Sequence, residues 1–145
     1  MIEITILVVM VLAALAVGTA LRRLDGKLRV TDVVEPIESA RAELLTAAGV
    51  TGSGPAVLHF SADWCGPCAA VRRVVAGVTD ELAASPNPPL DIEIDIDAEP
   101  TLARELNVLS LPTTFVFDRE GRERFRISGV PKTGDLRTAL EPLTV

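Results

Sequence analysis

The chain has 145 residues, which suits one domain of ordinary size plus an extra segment. Hydrophobic residues make up 48% of it and aromatics 3%, so its core draws mostly on Val, Leu, Ile and Ala. A formal net charge of −6 argues against a nucleic-acid partner, and two cysteines are too few for a disulfide scaffold.

Taken in order, the chain opens on Ile4 to Leu21, an uncharged run whose only polar side chains are Thr5 and Thr19. As a helix it would span about 27 Å, near the thickness of bilayer hydrocarbon, and it reads as a single transmembrane anchor covering residues 1–23. A cleaved signal peptide stays open, since Gly18-Thr19-Ala20 passes as a cleavage site, but Glu3 stands where such peptides carry positive charge. Arg22, Arg23, Lys27 and Arg29 follow the run directly. Positive charge beside a span marks the cytoplasmic side, so the rest of the chain is expected in the cytoplasm. The opposite, extracytoplasmic topology is the alternative. Residues 24–35 read as a linker, with Lys27 to Val34 as a possible first, edge strand.

Residues 36–145 read as the folded domain. Pro36 opens a helix with Ile37, Ala40, Leu44 and Ala48 on one face, and Gly49 stops it. Ala56 to Ser61 is a short apolar strand, central in a sheet. Trp64-Cys65-Gly66-Pro67-Cys68 follows, and a helix leaves it with Val71, Val74, Val75, Val78 and Leu82 at helical spacing. Gly77 sits inside that helix at a cost of about 1 kcal/mol relative to Ala, which points to a close packing contact there. Leu90 to Asp97 alternates strictly: Leu90, Ile92, Ile94 and Ile96 on one face, Asp91, Glu93, Asp95 and Asp97 on the other, toward solvent. Thr101 to Asn107 is a short helix. Thr113 to Asp118 and Glu123 to Ser128 form a hairpin turning at Arg119-Glu120-Gly121, and Thr133 to Leu140 is a last helix. Strands alternate with helices and end in a hairpin: an α/β fold with a mixed central sheet flanked by helices.

The chemistry sits in the two cysteines. Thiols two residues apart can close a small disulfide ring and reopen it. Pro67 suits the first turn of a helix, which puts Cys65 at or just before the helix N-terminus, where free N–H groups and the dipole favour a thiolate. Cys68 is then the second thiol, able to attack a mixed disulfide on Cys65. A structural zinc site wants about four ligands, and the chain holds one histidine. A structural bridge across so short a loop gains little from loop entropy. The cysteines do not fix the compartment.

Phe60-Ser61-Ala62-Asp63-Trp64-Cys65-Gly66-Pro67-Cys68 resembles the active-site segment of the thioredoxin family. Leu111-Pro112-Thr113 resembles its cis-proline segment, and Ile96-Asp97 and Pro100 precede it at family-like spacing. The similarity runs from about Val50 to Leu140. It implies a thioredoxin-like fold behind a membrane anchor, and a protein-disulfide reductase with Cys65 and Cys68 as catalytic residues. No cofactor or metal is implied beyond the redox-active disulfide. The implied partners are disulfide-containing proteins and an electron donor, such as a thioredoxin reductase or a membrane reductant. Trp64, Leu111, Pro112 and Gly129 are the implied substrate contacts, and Gly66 and Pro67 support the ring. The Gly-Pro pair favours the reducing direction. Two other readings are an extracytoplasmic protein of cytochrome c maturation or envelope disulfide reduction, and a non-catalytic adapter.

One departure concerns His59, which stands where family members usually carry a buried acid. Glu93 falls where many carry a lysine that pairs with it. The pair would hold the same function with the charges exchanged, His59 taking a proton from Cys68 and Glu93 orienting the ring. A packed core histidine and a solvated glutamate are the plain alternatives.

Overall fold

The structure, a computed structural model, describes residues 2–24, 28–30 and 39–145. Helix α1 (Ile2–Leu24) comes first, then strand β1 (Leu28–Val30), helix α2 (Ser39–Ala47), strand β2 (Ala56–Ser61) and helix α3 (Cys68–Glu81). Strand β3 (Leu90–Asp95), helix α4 (Pro100–Glu105), the hairpin β4 (Thr113–Phe117) and β5 (Glu123–Ser128), and helix α5 (Thr133–Leu140) complete it. The strands form one sheet in the order β1-β5-β4-β2-β3, with β2 and β3 parallel and the other pairs antiparallel. The mixed sheet expected from the element order is therefore present, with β2 inside it.

Strand periodicity divides the core in two. Ala56, Leu58 and Phe60 of β2 join Phe115 and Phe117 of β4 on one face, covered by Leu45 of α2 and Leu102 of α4. Val57 and Val116 face the other way, against Val71, Val75 and Val78 of α3 and Leu136 and Leu140 of α5. Within α2 the buried position is Leu45, whereas Ala40 is exposed. The stripe expected there is thus turned by one residue, because the sheet takes Leu45 with Leu44 and Ala48 packed beside it. Residues 31–38, where Pro36 was expected to open this helix, lie outside the described residues. Gly49 ends it in the left-handed region at φ 105°, and the Val50 N–H reaches back to the Leu45 carbonyl.

The membrane anchor is corrected. Among the described residues no helix is long and apolar enough to cross a membrane. Helix α1 covers the expected segment and does not meet that requirement. The membrane attachment through residues 4–21, the single-pass localisation and the membrane-anchored form of the activity fall with it. The orientation drawn from Arg22, Arg23, Lys27 and Arg29 has no span to orient, whether toward the cytoplasm or away from it.

Gly77 is a second correction. A Cβ built there meets nothing within 4 Å, so the close contact its mid-helix place suggested is absent. Gly77→Ala is therefore expected to stabilise the chain by about 1 kcal/mol, through helix propensity alone. Urea unfolding with an unchanged slope would read it, and a loss of stability would show a steric demand at this position.

Candidate active site

The sheet registers bring four segments to one end. Phe60 of β2 pairs with Thr113 of β4, and Thr113 pairs with Ser128 of β5. The chain leaving β2 at Ser61, the chain entering β4 at Pro112 and the chain leaving β5 at Gly129 therefore meet there. Ser61 pairs with Asp95 at the same end of β3, so Ile96 and Asp97 arrive beside them.

The cysteine segment occupies this end. Cys65 and Cys68 are joined by a disulfide. Cys68 is the first residue of α3, and Pro67 caps that helix with φ −72°, one position earlier than its expected place in the first turn. Cys65 thus lies three residues before the helix, on the open side of the turn. It is partly exposed, whereas Cys68 is 1% exposed. The Cys68 Sγ lies 3.8 Å from the Phe60 carbonyl oxygen, against the inner strand β2. Gly66 is exposed, and a Cβ there would meet nothing within 4 Å.

Around the ring, Trp64 is 69% exposed, and its indole N–H donates to Asp97 Oδ2 at 2.9 Å. Asp97 was expected to face water only; the indole gives it a second use. The Leu111–Pro112 peptide bond is cis. Pro112 is buried, Leu111 is partly exposed, and the Gly129 N–H donates to the Pro112 carbonyl at 2.9 Å. Gly129 has φ 86°, the left-handed region glycine favours. Leu109, two residues before Leu111, is 86% exposed; nothing in the sequence pattern singled it out.

His59 and Glu93 lie opposite each other in the parallel β2–β3 register. His59 is 2% exposed, on the α3 face of β2 that Val57 shares. Its hydrogen bond runs to Asp91 instead, Nε2 to Oδ1 at 3.1 Å. Glu93 bonds Arg72 of α3 at 2.6 Å. Burial pushes the Glu93 carboxyl up, but bonds from Ser61 and Arg72, with the charges of Arg72 and His59, outweigh it and hold the group below the ordinary glutamate value. The other ring nitrogen of His59, Nδ1, is buried without a partner among the described residues, and so is the hydroxyl of Thr114, its cross-strand neighbour on β4. Asp91 is the residue that sequence reasoning missed. The alternating pattern put it on the correct face and could have nominated it with Glu93.

Among the described residues no three His, Cys, Asp or Glu side chains gather as a metal site. What the arrangement can do is open and close one disulfide at a protein surface. The family model described as Thioredoxin matches residues 45–142. The chain belongs to the thioredoxin family. It is 40% identical over 80 residues to a thioredoxin of Mycolicibacterium smegmatis, a match covering 53% of this chain and 67% of that protein. It is 36% identical over 69 residues to a bifunctional thioredoxin reductase/thioredoxin of Mycobacterium leprae (strain TN), covering 47% of this chain and 14% of that protein. A solved mutant thioredoxin from Halobacterium salinarum NRC-1 superposes with a TM-score of 0.59 at 26% identity, over 68% of this chain and 83% of that one. With the family and the disulfide together, the chain is a thioredoxin-type protein-disulfide reductase whose redox centre is Cys65–Cys68.

Proposed function

We propose that this thioredoxin works as a general reductant of protein disulfides, with Cys65 as the attacking thiolate and Cys68 as the resolving thiol. The observation that carries the assignment is the unequal exposure of the two sulfur-bearing residues, one partly open and the other 1% exposed. A protein disulfide can approach Cys65 and has no path to Cys68.

In the reduced chain, the Cys65 thiolate attacks one sulfur of a substrate disulfide. That S–S bond breaks, the second substrate sulfur leaves as a thiolate, and Cys65 holds the first in a mixed disulfide. Cys68 then attacks the Cys65 sulfur, closing the ring and expelling the remaining substrate thiolate. Two electrons pass to the substrate and the chain ends as the disulfide. An extended substrate segment lies along Trp64, Leu111, Pro112 and Gly129, with exposed Leu109 at its edge. The electrons return from a donor of thioredoxin-reductase type, a reading supported by the relative whose name joins the two activities.

The test is insulin reduction by the full chain with dithiothreitol as electron source. Insulin B-chain precipitation is expected to start far earlier than with dithiothreitol alone. No acceleration would overturn the proposal.

A further inference from the structure

The segment between α4 and β4 carries one apolar side chain that the fold does not use. Asn107 sits in the left-handed region at φ 52°, and the Asn107 and Val108 N–H groups close the end of α4 on the Arg104 and Ala103 carbonyls. Val108 and Leu111 then pack against the core that Phe60 and Phe115 share. Leu109, between them, is 86% exposed. Farther along, the Thr113 hydroxyl donates to the Ser110 carbonyl at 2.7 Å, and the Gly129 N–H donates to the Pro112 carbonyl. With Val108 and Leu111 seated and these bonds made, Leu109 has no way to fold back onto the core. A single exposed leucine is ordinary on a protein surface, so placement is what distinguishes this one. Outside α1, the exposed large apolar side chains among the described residues are Trp64, Leu109 and Val145, and the first two stand in the loops that flank the disulfide.

We propose that Leu109 is a specificity-determining residue of this reductase, selecting protein disulfides that carry a large aliphatic or aromatic side chain two or three residues from the cysteine that Cys65 attacks. This rests on the assignment of Cys65 as the attacking thiolate. Leu109 is three residues from Pro112, so their Cα atoms are at most about 11 Å apart, on a surface continuous with the redox centre. Two or three residues of an extended substrate chain cover that distance. An apolar substrate side chain there leaves water together with Leu109, whereas a charged one loses hydration and gains no partner. Because Asn107, Ser110 and Pro112 are already held, docking orders the substrate and costs the reductase little. The sulfur chemistry is the same for every substrate; the contact at Leu109 acts on how readily each one is presented to Cys65.

The experiment uses the full reduced chain and synthetic peptides of glycine and serine, each with one cysteine held as a mixed disulfide with thionitrobenzoate. Attack by Cys65 on the peptide sulfur breaks that S–S bond and expels coloured thionitrobenzoate, which reports the rate. Leucine is placed in turn at each of the three positions on either side of the cysteine. No release from any peptide would overturn the assignment of Cys65, and this selectivity with it. Given release, the wild-type chain is expected to react about tenfold faster when leucine stands two or three residues to one side of the cysteine than with the plain peptide, roughly what half-burying a leucine supplies. The ratio is taken within one protein, so a smaller folded fraction does not move it. In Leu109→Ser the ratio should fall to about one, and in Leu109→Met it should persist. In Leu109→Lys the preference should pass to a peptide with glutamate at that position, by about threefold, the scale of an exposed ion pair. Equal rates for all peptides in the wild type, or a leucine preference that survives Leu109→Ser, would overturn the role of Leu109 and leave the assignment of Cys65 standing.

Discussion

Cys68→Ser is expected to leave the chain able to attack a protein disulfide and unable to let it go. Cys65 stays partly exposed and free to form the mixed disulfide, while the residue placed against the Phe60 carbonyl no longer carries a sulfur. Serine oxygen does not displace a thiolate from sulfur, so the adduct persists until an external thiol removes it. Cys65→Ser should do the opposite and trap almost nothing, since the remaining thiol is buried. Insulin reduction should fall on the order of 1000-fold or more in either variant, as when any nucleophile of a concerted pair is removed. Non-reducing electrophoresis followed by mass spectrometry would locate the adduct. Equal trapping on Cys68 in the Cys65→Ser chain would reverse the two roles.

The second large effect concerns the scaffold. Phe115 on β4 is fully buried, packs edge-on to Phe60 and stacks on Phe117, each at a ring-centre distance of 6.0 Å. The Arg126 guanidinium lies 4.6 Å above its ring, and Arg126 is also paired to buried Glu123 at 2.9 Å. Phe115→Ala removes one of only four phenylalanines in the chain and leaves a void between β4 and the helices covering that face. The expected cost is about 3–5 kcal/mol, the range for burying alanine in place of a core aromatic. Since a domain of this size has roughly 5–15 kcal/mol in total, the urea midpoint should drop steeply. A loss below about 1 kcal/mol would mean that the surrounding side chains collapse into the space.

How far the sequence reaches depends on the kind of contact. The cysteine pair, the apolar strand leading into it and the two apolar faces are properties of residue type and spacing. They were legible in Trp64-Cys65-Gly66-Pro67-Cys68, in Val57 to Ser61 and in the valines of α3, because thiol chemistry and strand or helix period are local. The last helix, Thr133–Leu140, has the bounds its pattern predicts.

The membrane anchor was misread from a pattern of the same local kind. The apolar run of residues 4–21 measures composition, and among the described residues no helix is long and apolar enough to cross a membrane. Gly77 was misjudged because a glycine's neighbours are not written in its own helix.

The buried polar contacts were decided only by the assembled sheet. Alternation put Asp91, Glu93, Asp95 and Asp97 on one face, but it could not say which of them meets His59. Register places Glu93 opposite His59. Arg72, coming from α3, takes the Glu93 carboxylate, and Asp91, the neighbour two residues back on the same face, meets the imidazole. Same-face residues of adjacent strands lie within reach of a long side chain both directly opposite and one step along the strand. The choice between them then belongs to whatever packs over the sheet, and that is a property of the tertiary structure alone.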